Sequence, residues 1–563
     1  MRLENSVAVI KYLIASILVG VILGIGGAFA AQGFRSGIVT ISNYTEKLFG
    51  QNPNFLFYLI TLSVALILVH YSRVLVNGKP FQSVADSIYL AHKSNNETDL
   101  KVGFISTLAA FFSASGGASI GQYGPLVHFG TTLGAWLKKT VPFNFTPDLY
   151  IGAGVAASIS SGFGAPLAGL IFAHEAILRH YSHKSILAIA TASGISFAVS
   201  TGIWGDTNII NVSSENFNLL LILVISFLAG PIFGLIAIIY MKSLLLFANL
   251  ANSPKVSVFY KYSFCILSLS IIGHFMPEVM GLGTETVSEI LYSSYTLIFL
   301  IIILLGKIIA TSISLNFGFF GGVFSPAILV GAAAGAVVSA LLVTLGIFED
   351  FQQALVISGI AAVAGAVIGA PICMVIIVLE LTNSYAYALA SLVGLAISVG
   401  YVQVRFGSSY FDVQLLSRGI DISDGRTGLF MTETDILRFA EQNFHTIKEN
   451  ETVANAILLM SNIDQSELIV VNQSGEFLGK INSLSLFNKQ GPLSAADVID
   501  KDCVFIEHDA SLQTAIEIAS DFVGEIIPII QTDQNKALAI ITEGAIFQAY
   551  LSKQNQTVAM EKR

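Results

Sequence analysis

Residues 121–130 read GQYGPLVHFG, and what this stretch does decides the fold. Gly121, Gly124 and Pro125 punctuate the entry to an apolar run. Proline is at home in the first turn of a helix, where its missing N–H would lack an intrahelical partner anyway. The stretch therefore predicts a helix mouth, with free backbone N–H groups and the positive end of a macrodipole facing whatever lies in front. Gln122 and Tyr123 stand in that doorway. A second mouth is predicted at Gly321, Gly322, Val323, Phe324, Ser325 and Pro326, which open the run AILVGAAAGAVVSALLV, and a third at VNGKP, residues 76–80, around Asn77 and Gly78.

The surroundings of these mouths are those of a membrane. Of 563 residues, 54% are hydrophobic and 12% charged, which excludes an ordinary soluble domain. Apolar runs span 7–31, 55–70, 217–241, 262–275, 296–310 and 391–402, several of them near the ~20 residues that cross a hydrocarbon core. Another, 361–381, is interrupted by Gly-Ala-Pro, which is tolerated at that depth only where backbone is buried in protein or lines a cavity. The first run is too long for a signal-peptide core and reads as an uncleaved membrane helix. Cys265, Cys373 and Cys503 are scattered, so neither a disulfide framework nor a metal site follows. The formal net charge is −9 with no basic stripe, which excludes nucleic acid as a partner. With no nucleophile–base pair or ligand cluster in either part, the chain does not read as an enzyme.

A repeat organises the apolar part. GQYGP is followed about forty residues later by GAPLAGLIFAHEA, and GGVFSP is followed at nearly the same distance by GAPICMVIIVLELT. Paired interruptions in corresponding positions point to a repeat transporter or pore whose site lies near the bilayer midplane. A bare anion there faces a Born cost of roughly tens of kcal/mol. A buried cationic side chain would hold the ion too tightly for passage and would itself be costly when unoccupied. Helix mouths meet the need with N–H donors and about half a positive charge each. The site predicted from these mouths is built of backbone, with Gly124, Val323 and Phe324 around the ion, Asn77 and Gly78 nearby, and Tyr123 limiting access.

These motifs resemble the CLC family of chloride channels and proton-coupled chloride antiporters over residues 5–420. The match rests on GGASIGQYGPLVHFG, GAPLAGLIFAHE, TSISLNFGFFGGVFSPAILVGAAAG and GAPICMVIIVLELTNSY. The resemblance implies an all-α polytopic membrane protein, an inverted repeat with re-entrant helices and halves at 1–205 and 215–415. It further implies a homodimer in a lipid bilayer, each subunit carrying one pathway for chloride or another small anion. Hydropathy falls sharply after Gly419, a domain boundary. Beyond a linker at 421–439, two βαββα units at 440–492 and 493–552 resemble an α/β CBS-domain pair, followed by a tail at 553–563. CBS domains hold nucleotide ribose through Gly-x-x-Ser/Thr-x-x-Asp; the matching positions here are Gly479, Asn482, Ser485 and Ala539, Thr542, Ala545, neither with the carboxylate. No cofactor is required on this reading. Adenine nucleotide at Asn482, Ser485 and Thr542 stands as the alternative to a dimerising scaffold. The soluble pair places itself and the N-terminus in the cytoplasm, the membrane being of the bacterial inner (plasma) kind.

The chain departs from the family where the chemistry is most specific. The gating glutamate, which carries the exchanged proton, is Tyr123 here, a phenol whose ordinary pKa of about 10 keeps it neutral. Such a ring narrows the pathway, donates its O–H to a passing anion, or swings aside into apolar packing. The family arginine before it is Gln122, which weakens the outer vestibule's attraction. The inner proton-entry glutamate is Ala176, although its neighbour Glu175 remains. The central serine falls on Asn77, and the central tyrosine on Phe411 with Tyr410 beside it. Lys307, in an apolar run, reads either as a source of inner-vestibule potential or as an ion-paired structural lysine; His128 reads as a packed core histidine. The expectation is passive chloride or anion transport, channel-like or uncoupled from protons. The alternatives are a chloride–proton antiporter using His174 and Glu175, and a non-conducting anion sensor. Fluoride, nitrate and bicarbonate stay open beside chloride.

Overall fold

Two Gly-Ala-Pro breaks organise the architecture of the larger of two units, Met1–Ile420 and Asp421–Arg563. The computed structural model describes residues 2–49, 54–93, 98–141, 143, 145–181, 183–205, 218–253, 256–292, 295–346, 351–423, 425–486 and 493–562. The expected boundaries between the repeat halves and between the CBS units, with the start of the run at 217, lie outside these residues. The first half comprises α1 (Arg2–Phe49), α2 (Phe55–Leu75), α3 (Val84–His92), α4 (Leu100–Ser115), α5 (Tyr123–Thr140), α6 (Pro147–Phe163), α7 (Pro166–Phe172) and α8 (His183–Trp204). The second comprises α9 (Leu219–Ala251), α10 (Val258–Phe275), α11 (Thr284–Tyr292), α12 (Leu297–Phe317), α13 (Phe324–Thr344), α14 (Gln352–Ile368), α15 (Pro371–Thr382), α16 (Tyr385–Arg405) and α17 (Tyr410–Leu416). Among the described residues eight helices are long and apolar enough to cross a membrane.

The halves repeat each other in packing as well as in motif. In the first, α5 packs on α6, and α8 on both α6 and α1; in the second, α13 packs on α14, and α16 on both α14 and α9. The crossings depend on small residues, as in other membrane bundles: a Cβ at Gly130 would run into the Gly154 carbonyl, and one at Gly331 into that of Gly359. Helices α6 and α14 are buried along their length and form the centre of the unit. Each ends on a left-handed glycine, Gly164 at φ 70° and Gly369 at φ 78°. The following Ala-Pro then opens a short helix, α7 or α15, with the proline in its first turn. Beyond α7 the backbone widens into a π-helical turn over Ala173–Leu178.

The expected third mouth differs. Asn77 and Gly78 both adopt positive φ, 55° and 73°, so residues 76–80 form a turn that closes α2 rather than opening a helix. Helix α3 starts at Val84 behind Ser83, whose N–H and hydroxyl both donate to Asp86 Oδ2, at 2.7 and 3.1 Å.

The second unit contains α18 (Gly425–Thr432) and two three-stranded sheets with the same connectivity. In the first, β1 (Thr446–Lys448) runs parallel to β2 (Glu467–Val471), which pairs antiparallel with β3 (Phe477–Asn482); α19 (Val453–Ile463) and α20 (Ser483–Leu486) complete it. In the second, β4 (Ile506–Glu507) is parallel to β5 (Ile527–Gln531), itself antiparallel to β6 (Lys536–Ile541), with α21 (Leu512–Ser520) and α22 (Glu543–Lys562). Ile469, Val471 and Phe477 of one module share a core with Cys503, Ile530 and Ile540 of the other. The expected linker is in fact partly structural: Met431 of α18 and Ile436 are buried in the core of the second module. Nor is 553–563 a separate tail, since α22 continues through it to Lys562.

Candidate functional site

The two remaining mouths meet face to face. Gly121 N–H donates to the Gly322 carbonyl at 2.7 Å and Gly322 N–H to the Gly121 carbonyl at 2.8 Å, an antiparallel bridge between the repeat halves. Only glycine fits this approach: a Cβ at Gly322 would stand 2.9 Å from the Gly124 nitrogen. Gln122 N–H donates to Ser325 Oγ at 3.2 Å, a further tie across the repeat. The helices that begin here, α5 and α13, have Gln122 and Val323 at their N-caps, and neither has a side-chain cap. Their first N–H groups are thus left without the acceptor that helix termini ordinarily recruit.

In front of them lies a cavity of about 120 Å³ lined by Ser83, Gly124, Asn316, Val323, Tyr410 and Phe411, among others, none of them charged. That is several times the ~10–15 Å³ one water needs. Of the residues predicted from sequence, the structure gathers Gly124, Val323, Tyr410 and Phe411 here and leaves Asn77 and Gly78 outside; Gly78 lines a neighbouring cavity instead. The wall position expected for Asn77 is taken by Ser83, just ahead of α3. Phe324, the first residue of α13, turns its ring away from this cavity and into an aromatic cluster.

Tyr123 belongs to that cluster. It is 2% exposed, its ring stacked on Phe163 at 3.7 Å between centroids and set edge-on to Phe324 at 5.5 Å. The phenol is thus packed among aromatic and apolar groups. With Phe163, Ile357, Met374 and Ile377 it lines an apolar cavity of about 40 Å³. Gly124 and Val323 line the central cavity, whereas Tyr123 and Ser325 line the apolar one. The first turns of α5 and α13, with their rings, are therefore the partition between the two. Gln122 does not face an open vestibule: it is buried, and its amide oxygen has no partner.

Lys307 is likewise not a vestibule charge. Fully buried, it donates to the carbonyls of Val279 at 3.1 Å and Gly281 at 3.0 Å, tying α12 to the segment ahead of α11. His128 sits buried between Ser87 Oγ (2.9 Å) and Gln82 Oε1 (3.2 Å).

Glu175 has a specific task. Its carboxylate accepts from the N–H groups of Ile372 at 2.8 Å and Cys373 at 2.7 Å, the first turn of α15. Glu380, at the far end of α15, does the same for α7, accepting from Leu167 and Ala168 at 2.8 Å each. Each short helix is capped by the other half's glutamate. Glu380 is absent from the residues picked out by motif, yet its signal is in the chain: a glutamate falls at the same distance from the proline in both repeats, Glu175 after Pro166 and Glu380 after Pro371. Ala176 is buried beside this clamp. His174 Nδ1 pairs with the His180 carbonyl at 2.9 Å, and its Nε2 is buried without a partner beside a cavity of about 480 Å³.

In the second unit, Asn482 donates to Glu467 Oε1 at 3.1 Å and accepts from Leu484 N–H at 2.8 Å. Ser485 donates to the Asn482 carbonyl at 2.6 Å, and Thr542 Oγ1 accepts from Ala545 N–H at 3.1 Å. All three side chains are engaged within their own module.

Comparison with known proteins follows the division of the chain. A family model described as voltage gated chloride channel matches residues 82–403, and one described as CBS domain matches residues 495–552. An uncharacterised protein of Methanocaldococcus jannaschii is 25% identical over 403 residues, covering 71% of this chain and 94% of its own. The H(+)/Cl(-) exchange transporter ClcA of Vibrio parahaemolyticus is 26% identical over 338 residues, covering 57% and 69%. Among solved structures, a slow cyanobacterial Cl-/H+ antiporter superposes with a TM-score of 0.64 at 21% identity, over 72% of this chain and 98% of that one.

Proposed function

Since the chain belongs to the voltage-gated chloride channel family, whose members move anions across membranes, we propose that it conducts chloride passively and without proton coupling. The observation that carries this reading is the pair of uncapped mouths at α5 and α13 opening on an uncharged cavity. A halide there would receive backbone N–H donors near Gly124 and Val323, with the hydroxyl of Tyr410 within the same walls. Binding by neutral donors is weak enough to let an ion leave, as conduction requires.

The absence of coupling follows from what occupies the proton positions. Tyr123 does not titrate in the accessible range, Ala176 does not titrate at all, and the Glu175 carboxylate is engaged as the cap of α15. A second reading, antiport through a different proton route, draws on the unpartnered Nε2 of His174. The ring cluster of Tyr123, Phe163 and Phe324 is the constriction on the passive pathway. The working form is a homodimer in a bacterial inner (plasma) membrane, with the N-terminus and CBS pair in the cytoplasm. The pair serves as a scaffold coupled to the pore rather than as a nucleotide sensor, because Asn482, Ser485 and Thr542 already have partners.

Flux from chloride-loaded proteoliposomes tests the reading. Passive chloride efflux without proton movement is expected. Uphill proton movement driven by a chloride gradient would establish the antiporter, and no flux in either the wild type or Tyr123→Ala would leave only the anion sensor.

A further inference from the structure

The two sides of the aromatic partition offer an ion very different company. On the central side, the uncapped N–H groups of α5 and α13 and the Tyr410 hydroxyl can replace water. On the other side lies the cavity of about 40 Å³. Among the described residues lining it none is charged, and only Tyr123, Thr284 and Ser325 carry a hydroxyl. Ser325 Oγ is already engaged, accepting from Gln122 N–H at 3.2 Å. Ile357 and Ile360 of α14 and Met374 and Ile377 of α15 form much of the remaining wall. A cavity walled in this way stays dry, because a water inside it lacks the about two to four polar partners it needs. Phe163 and Phe172 back the partition, their centroids 5.1 and 6.3 Å from that of Phe324. Leu282, Gly283 and Thr284 in the wall are half-buried beside exposed Glu285, which puts that wall at the surface of the unit.

We propose that the rings and the dry cavity behind them are a dehydration filter, which makes the pathway prefer large, weakly hydrated monovalent anions such as thiocyanate, iodide and nitrate over chloride, and chloride over fluoride. An ion crossing this segment gives up its water and receives few hydrogen bonds in exchange. The Born cost of that loss falls as the ion grows, so the smallest ions are held back most. Apolar constrictions act on ions in this way, by dewetting. A large anion recovers part of the loss through dispersion contacts with the rings and the Met374 side chain. Ring edges help as well, since they carry the positive part of the aromatic quadrupole, and Tyr123 and Phe324 meet edge to face. A site of N–H donors alone would rank the ions the other way, because a fixed donor attracts the smaller ion more strongly. The order of permeation therefore reports which segment limits passage. This inference rests on the anion-pathway reading and deepens it by naming the class of anion carried.

Reversal potentials of the full-length protein in planar bilayers, with chloride on one side and a second anion on the other, give the order directly. Thiocyanate, iodide and nitrate are expected to be several-fold more permeant than chloride, and fluoride several-fold less. Ile360→Thr and Ile360→Val then separate polarity from size, because the two new side chains share a shape and only threonine adds a hydroxyl. The threonine variant should lower the nitrate-to-chloride permeability ratio by about 2–10-fold, the worth of one hydrogen bond offered to the better-hydrated ion. The valine variant should keep the wild-type order. Ile377→Thr and Ile377→Val repeat the comparison from α15, so a single variant that fails to fold does not remove the test. Chloride more permeant than nitrate and thiocyanate in the wild type, or threonine variants with the ratios of their valine partners, overturns the filter and leaves the pathway standing. No current with any of these anions overturns the pathway reading itself, and the filter with it.

Discussion

Four helices begin near the centre of the membrane unit, and they fall into two kinds. The mouths of α7 and α15 are filled, each by a glutamate from the opposite repeat half whose two oxygens accept two N–H groups at 2.7–2.8 Å. Those of α5 and α13 carry no side-chain cap and face an uncharged cavity. A helix N-terminus attracts negative charge wherever it lies. What separates a structural joint from the proposed anion site is whether the protein supplies the negative charge or leaves the place to a mobile ion. The mouth of α3 is of the first kind, satisfied by its own Asp86.

Emptying a filled mouth should have the largest effect. Glu380→Ala or Glu175→Ala removes a carboxylate accepting two N–H bonds and should cost about 2–4 kcal/mol of stability. The drop would be read as a lowered thermal midpoint in detergent, with the glutamine variant recovering roughly half through its remaining acceptor. An unchanged midpoint would break the distinction drawn here. Filling an open mouth is the converse experiment. Tyr123→Glu places a carboxyl with a reference pKa of about 4.3 at the start of α5. Above its pKa the ionised group competes with the anion and flux falls; below it the neutral acid withdraws and flux recovers. The wild type, with a phenol there, should show no such step.

Spacing is next in size. Gly322→Ala pushes a methyl to within 2.9 Å of the Gly124 nitrogen, so chloride flux should fall about tenfold or more, the equivalent of a loss near 1.4 kcal/mol. Tyr123→Ala, by opening the aromatic constriction, should raise flux several-fold in efflux assays. Tyr410→Phe should have the smallest effect. It deletes one hydroxyl donor of a multi-donor site and is expected to weaken halide binding by about 0.5–1.5 kcal/mol, seen as a shift in the concentration giving half-maximal flux.

The sequence announces the open mouths and conceals the filled ones. Gly121, Gly124 and Pro125 with Gly322, Ser325 and Pro326 are local signals, and the repeat spacing makes them non-accidental. The capping of α15 by Glu175 is a contact between residues about two hundred positions apart, which only the matched distance from proline to glutamate in the two halves betrays. At 76–80 the chain mimics a helix start because Asn-Gly followed by Lys-Pro suits a turn as well as a mouth. Left-handed Asn77 and Gly78 decide for the turn, and Ser83 inherits the wall position. Lys307 was legible as a buried charge needing partners, but not as a donor to backbone carbonyls. In the second unit the repeated strand–helix order is plain, whereas α18 reads as linker because its buried residues serve a core formed mostly from residues 506–549.

The contrast between open and filled mouths is tested most directly by locating a heavy halide. Crystals soaked in bromide should give an anomalous peak in the central cavity, within hydrogen-bonding reach of the backbone nitrogens near Gly124 and Val323, and none at the starts of α7 and α15. Bromide at α7 or α15, or a central cavity without it at saturating concentration, would contradict the account.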